Sequence, residues 1–156
     1  MTPTLIRPCL ETDLPAVRDL LAQLEEVASS GGGLSLEELA AMYDEMEAAP
    51  DIYLNLVAVS GESVLGFISL VFYKTFFHKG GTALINELVV SSAARGQGIG
   101  RMLIEQAQCE ALARGMDELE VGTEEDNTAA QKFYRACGFD ENYVLLGMEF
   151  DKDAAA

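Results

Sequence analysis

Apolar positions along this chain repeat with two different periods, and the changes of period mark its elements. Leu14, Val17, Leu20, Leu21, Leu24 and Val27 recur at helical spacing, Thr12 or Asp13 can cap that helix, and Pro15 suits its first turn. Ser29 to Gly33 reads as a flexible break, a hinge and not a domain boundary. Ser35-Leu36-Glu37-Glu38 then matches a capping box and opens a second helix that ends before Pro50. Ile52 to Val59 and Val64 to Phe72 are rich in β-branched and aromatic residues around the tight turn Ser60-Gly61-Glu62, which predicts an antiparallel hairpin. Leu5 to Arg7 reads as a short first strand, and Thr82 to Val90 as a strand pairing with the hairpin. A helix over Gly98 to Arg114, a strand over Leu119 to Gly122, a helix over Asn127 to Cys137 stopped by Gly138, and a last strand over Tyr143 to Phe150 complete the order. The sum is an α/β chain with a mixed sheet.

Composition bounds what such a chain does. At 156 residues and 49% hydrophobic content it suits one domain over residues 1–156, closed by a short disordered tail at 152–156. The most apolar stretch, about Val64 to Tyr73, is too short to span a bilayer, and no basic-then-apolar leader opens the chain, so a cytoplasmic location without membrane association is expected. Cys9, Cys109 and Cys137 are an odd count without C-x-x-C spacing, which argues for reduced thiols and against a disulfide framework or a zinc site. His78 is the only histidine and has no spaced ligand partners, so no metal is expected. A net charge of −16 disfavours nucleic acid and anionic membrane and favours a cationic partner, unless it serves only solubility.

The chemistry concentrates in Arg95-Gly96-Gln97-Gly98-Ile99-Gly100-Arg101, which follows the apolar run Ala83 to Val90 and opens a helical pattern. Strand, glycine loop and helix together form an anion-binding arrangement, because glycines reach positive φ and the first helical N–H groups lack internal partners. The spacing R-x-x-G-x-G lacks the final glycine of a dinucleotide loop and the Gly-Lys-Ser/Thr of a nucleotide P-loop. Arg95, Arg101, Lys132 and Arg135 supply positive charge near these segments, and Glu124, Glu125 and Asp126 oppose it.

Three motifs occur in order: Ile85-x-x-Leu88-x-Val90, Arg95-x-x-Gly98-x-Gly100, and Asn127-x-x-Ala130-x-x-Phe133-Tyr134 with Gly138-Phe139. In this order the chain resembles the GCN5-related N-acetyltransferases over about residues 83 to 139. The resemblance implies a single domain with a mixed, mostly antiparallel sheet flanked by helices on both faces, and acetyl-CoA as acyl donor. It implies that the backbone of Leu88, Val89 and Val90 pairs with the pantetheine arm, that Arg95 to Arg101 cradle the pyrophosphate, and that Asn127 contacts the cofactor arm. Asn127 also reads as a helix cap. The reaction would be direct attack by a primary amine, and a small cationic amine is the acceptor that the net acidity favours. A lysine-like amine has a pKa of roughly 10.4, so only about one molecule in a thousand is nucleophilic near neutrality, a handicap of roughly 4 kcal/mol. Glu87 is then either the base that takes the amine proton or a strand glutamate facing solvent. Tyr134 is either the acid that protonates the departing thiolate or one of the core-spaced residues Ala130, Phe133, Tyr134 and Cys137. Phe76 and Phe77 beside His78 would line the acceptor entrance or fold back on the core. Glu37, Glu38, Asp44, Glu45 and Glu47 put charge on the second helix, as a solvated face or as an ammonium site. A homodimer sharing the edge Tyr143 to Phe150 is the candidate assembly. A catalytically silent acyl-CoA sensor and an unrelated phosphate-binding α/β module are the rival readings.

Overall fold

The computed structural model describes residues 2–27 and 33–150, which form two compact units, Met1–Val121 and Gly122–Ala156. The first unit is a five-stranded sheet in the order β1 (Thr4–Pro8), β2 (Tyr53–Ser60), β3 (Ser63–Tyr73), β4 (Thr82–Val90) and β5 (Glu118–Val121). The first four strands pair antiparallel with their neighbours, and β4 pairs parallel with β5. Parallel pairing requires a crossover, supplied by α3 (Ile99–Ala113) between β4 and β5.

Each sheet face has its own hydrophobic layer. On one face Phe67, Val57, Val59 and Val89 pack with Leu14, Val17 and Leu20 of α1 (Leu14–Val27) and Leu39 of α2 (Leu36–Glu47). On the other, α3 buries Ile99, Leu103, Ile104, Ala107 and Ala111, a stripe at helical period, over the face carrying Gly66, Ile68 and Leu70. The missing side chain of Gly66 permits that approach, since a Cβ there would lie 3.1 Å from Leu103 and 3.2 Å from Ile99. The expected mixed, mostly antiparallel sheet with helices on both faces is therefore what the first unit forms.

Local signals decide the element ends. Ser35 caps α2 by accepting the Glu38 N–H at 3.1 Å, the N-cap half of the capping box that the sequence announces, and its hydroxyl donates to the Glu38 carboxylate at 3.1 Å. Asp13 departs from expectation. It lies in a 3-10 turn ahead of α1 and accepts two bonds from the Arg7 guanidinium, at 2.7 and 3.0 Å, and one from Leu10 N–H at 2.8 Å. The carboxylate thus ties β1 to the helical start and, by accepting the Leu10 N–H, acts there as the third residue of a capping box and not as the N-cap itself.

The second unit holds α4 (Thr128–Ala136) and the segment after it. Tyr143 to Phe150 is not a strand: it has no regular structure, and Tyr143, Val144, Leu145, Leu146, Met148 and Phe150 are between 63% and 88% exposed. Alternating apolar residues meet only half of what a strand needs. The other half is a backbone edge to pair with, and among the described residues no strand pairs with this segment. The expected tail at 152–156 and all but the last residue of the break Ser29 to Gly33 lie outside the described residues.

Gly80 offers a test of the β3–β4 connection. A Cβ at this position would stand 1.9 Å from the carbonyl oxygen of Gly115, a backbone atom that cannot swing aside, while one at Gly147 would meet nothing within 4 Å. Gly80→Ala should lower stability by about 1–3 kcal/mol and Gly147→Ala should be near neutral. Urea denaturation of the two variants measures both.

Candidate active site

An irregularity in β4 sets the geometry of this site. Ser69 lies opposite Glu87, but its neighbour Leu70 lies opposite Ile85, so Asn86 is an extra residue in β4. In a regular strand Ile85, Glu87 and Val89 would share one face. The bulge separates them. Ile85 stays with Leu70 on the α3 face, while Glu87 turns with Ser69 toward α1 and α2.

Across the sheet on that face runs a row of polar residues. Asn55 of β2 is opposite Ser69, Ser69 is opposite Glu87, and Cys9 joins the row through its N–H bond to the Asn55 carbonyl at 2.9 Å. Asn55 and Ser69 are buried and Glu87 is half-buried. The row is the floor of a cavity of about 80 Å³. Its walls are Leu14, Val17 and Leu21 of α1, then Leu34, and Leu39, Met42, Tyr43 and Met46 of α2.

Burial raises the Glu87 carboxyl above the ordinary carboxylate range, and a hydrogen bond from the Ser69 hydroxyl opposes part of that rise. A carboxylate so placed is a better proton acceptor than a solvated one. Burial and the nearby Asp13 push the Cys9 thiol up to about 12, and its hydrogen goes to the Leu10 carbonyl at 3.5 Å, so this thiol is an inert part of the floor. Tyr43 closes the same corner by donating to the Cys9 carbonyl at 3.0 Å. The α2 acids Glu37, Glu38, Asp44, Glu45 and Glu47 are all exposed, a solvated helix face. Phe76 and Phe77 project into solvent and do not fold back on the core, and His78 lies 3.7 Å from Glu118.

Beyond the bulge, β4 keeps an open edge. Its parallel pairing with β5 ends at Ile85 and Val121, so among the described residues no strand pairs with Asn86 to Val90 on that side. Ser91 donates its N–H to Leu65 at 2.8 Å, on the β3 side. By strand alternation the backbone groups of Leu88 and Val90 face the open edge, and those of Val89 face β3. The chain then makes a 3-10 turn over Ser92–Ala94, where Ser92 N–H is held by Gln23 of α1 at 3.1 Å.

Gly96 and Gly98 follow with φ of 79° and 80°. A Cβ at either would meet nothing, so conformation and not space demands glycine. Gly98 caps α3, and the first helical bond runs from Met102 N–H to its carbonyl at 3.1 Å, so Ile99 and Gly100 carry helix-start N–H groups that the helix itself leaves unbonded. Arg95, Gln97 and Arg101 are exposed around this loop. The turn, the two left-handed glycines and the helix start together suit a phosphate group.

In the second unit, Asn127 caps α4 by accepting the Ala130 N–H at 3.1 Å. Phe139 N–H bonds Tyr134 O at 3.1 Å and Gly138 N–H bonds Arg135 O at 3.0 Å, a Schellman closure with Gly138 at φ 108°. That closure fixes Tyr134. Its ring stands edge-on to Phe139 at 5.8 Å and tilted against Phe133 at 5.6 Å. Burial raises the Tyr134 phenol above its usual range, with Cys137 adding to the rise. Among the described residues no cluster of His, Cys, Asp or Glu could hold a metal, and no helix is long and apolar enough to cross a membrane.

An open strand edge thus runs into an anion-binding helix start, beside a cavity floored by Glu87. The chain belongs to the acetyltransferase (GNAT) family, whose model matches residues 16–139. It is 29% identical over 148 residues to glucosamine 6-phosphate N-acetyltransferase 1 of Oryza sativa subsp. japonica, an alignment covering 93% of this chain and 86% of the relative. Among solved structures it is similar to a transcriptional regulator from Bacillus halodurans C-125, with TM-score 0.83, 28% identity, and coverage of 95% of this chain and 100% of that one. It also shares its fold with an aminoglycoside N-acetyltransferase in complex with CoA, with TM-score 0.81, 22% identity and 96% of each chain covered.

Sequence reasoning singled out Glu87 and the loop but not Asn55, Ser69 and Cys9, which stand in the same row across the sheet. No local signal marks them, since only register brings them together.

The Glu87 carboxyl should titrate above the ~4.3 of a solvated glutamate, and Ser69→Ala should move it higher still by removing the opposing hydrogen bond. Carbon-13 NMR of the side-chain carboxyl would read both shifts. Because its folded pKa is raised, Glu87 favours the fold when neutral, and that contribution is lost as pH rises from the unfolded value through the folded one. Glu87→Gln should flatten that part of the stability profile.

Proposed function

We propose that this protein is an acetyl-CoA-dependent N-acetyltransferase that transfers acetyl to a primary amine by direct attack within a ternary complex. The observation that carries the reading is the edge of β4 at Leu88 and Val90, unpaired by any described strand, leading through the Ser92–Ala94 turn into the left-handed glycines and the start of α3. The residues suit the donor along its length. Leu88, Val89 and Val90 offer an extended backbone to an amide-bearing arm, with the edge groups of Leu88 and Val90 making the bonds. Arg95, Gly96, Gln97, Gly98, Ile99, Gly100 and Arg101 would hold its phosphates, and Asn127 has a side-chain amide N–H2 left to offer once its oxygen caps α4. When bound, acetyl-CoA supplies an activated acetyl thioester.

Two side chains of this chain then move protons. Glu87 takes one from the acceptor ammonium, which frees the nitrogen lone pair to bond the acetyl carbon, and burial, by raising its carboxyl, makes it a stronger base than a solvated glutamate. Tyr134 gives one to the sulfur as the C–S bond breaks, and the second proton that the nitrogen sheds on becoming an amide returns to the phenolate. A thiol pKa of roughly 8.5 against ~10 for a phenol keeps that transfer near balance, although the raised phenol of Tyr134 makes the donation somewhat less favourable. The acidic surface, at net charge −16, favours a small cationic acceptor over an anionic one.

The family match runs from residue 16 to 139, across the boundary between the two compact units, and this supports one functional acetyltransferase domain over residues 1–156, with cofactor motifs at 83–139. Three cysteines without a disulfide suit a reducing, cytoplasmic location. The exposed apolar segment Tyr143 to Phe150 is a candidate for the shared edge of a homodimer. Light scattering on the eluting protein should give twice the chain mass, and Leu145→Asp should return it to the monomer.

The similarity to a protein described as a transcriptional regulator favours a second reading, a catalytically silent acyl-CoA sensor. Steady-state kinetics separates the two. Glu87→Gln and Tyr134→Phe should each lower kcat by about 100-fold or more while leaving the Kd for CoA nearly unchanged. Unchanged turnover in both variants would remove their assigned roles, and CoA binding without any acetylated product would select the sensor.

A further inference from the structure

The acceptor cavity has a chemistry of its own that narrows the substrate class. Resting on the acetyltransferase reading, we infer that it takes a monoamine carried on a short, unbranched apolar body, and rejects polyamines, amino sugars and phosphorylated amines. The polar groups of the cavity lie on one side. Cys9, Asn55, Ser69 and Glu87 form the floor, and Tyr43 turns its hydroxyl to the Cys9 carbonyl. Most of these groups are already committed: the Cys9 thiol to Leu10, and Ser69 to Glu87. The Asn55 amide donates to the Met46 thioether at 3.5 Å, a weak acceptor that an incoming group can displace.

Among the described residues, the walls facing that floor are hydrocarbon or thioether apart from the Tyr43 hydroxyl, which the Cys9 carbonyl holds. An amine held by Glu87 therefore projects its substituent between α1 and α2, against Val17, Leu21, Leu39 and Met42. Hydroxyls placed there would lose their water without gaining partners. A second ammonium would meet no second carboxylate, because Glu87 is the only acid that lines the cavity among the described residues. A phosphate would meet no cation inside the cavity: among the described residues no lysine or arginine lines it, and Arg18 lines an adjoining cleft that shares the walls Leu21, Leu34 and Leu39.

Size sets the length of the body. At about 80 Å³ the cavity is roughly half the ~150 Å³ that houses a benzene ring, which leaves room for about three or four carbons. Met42 and Met46 give its wall some adaptability.

The test uses the full chain at saturating acetyl-CoA, with ethylamine, propylamine, butylamine, pentylamine, ethanolamine, spermidine and glucosamine 6-phosphate as acceptors. The expected result is a kcat/KM that rises about fourfold per methylene from ethyl to butyl and then levels off. Ethanolamine should fall at least tenfold below propylamine, and spermidine and glucosamine 6-phosphate should fall below butylamine. A preference for spermidine or the phosphorylated sugar overturns the inference while leaving the acetyltransferase reading intact. A binding measurement separates the two further: in protein carrying carbon-13 methyl methionine, butylamine alone should shift the Met42 and Met46 resonances. Shifts without acetylated product support the pocket chemistry and overturn the transferase. An absence of shifts overturns the pocket chemistry.

Discussion

One extra residue in β4 holds the site together. With Asn86 bulged out, the strand serves two faces in sequence, contributing Ile85 to the layer under α3 and Glu87 to the layer under α1 and α2. A carboxylate at residue 87 in an unbulged strand would sit where Ile85 points, in a close-packed hydrocarbon layer, at a cost no partner there could offset. The pairing of β4 with β5 also ends beside the bulge, at Ile85 and Val121. Beyond it the backbone groups of Leu88 and Val90 have no strand to pair with among the described residues. The placement of Glu87 and the open edge are thus two consequences of the same local defect, which is how a sheet combines a rigid scaffold with an unsatisfied backbone.

Desolvation then gives the placed groups their chemistry. Glu87 and Tyr134, in separate units, are both pushed upward by burial, the acid toward useful basicity and the phenol toward retaining its proton. The same removal from water leaves Cys9 inert, since a thiol raised to about 12 is not a nucleophile at neutrality. The net charge of −16 repels any phosphorylated ligand at long range, and the glycine loop with the exposed Arg95 and Arg101 is a local exception to that field.

Particular residues show why the site was only partly legible. Ser35, Gly98 and Gly138 act through bonds and dihedral angles within a few residues of themselves, and each does in the structure what its spacing announces. Asn127 caps its helix, as an Asn in that position should. Tyr143 to Phe150 misled, because its alternation of apolar residues is a real strand signal whose backbone partner no local pattern can reveal. Asp13 misled for a related reason. Its stronger partner, Arg7, comes from the neighbouring strand.

What the sequence by itself determined is therefore the elements from β1 to α4, their order, most of their caps and the glycine loop. Helical period, strand alternation and left-handed glycines are enforced by sterics and hydrogen bonds between near neighbours. Only the tertiary structure decided which face Glu87 occupies, that Cys9, Asn55 and Ser69 stand in line with it, and that the space above them is small and lined with hydrocarbon. Those properties depend on register between strands that are distant in the chain, and a slip of one residue, such as the one at Asn86, exchanges the faces of everything beyond it.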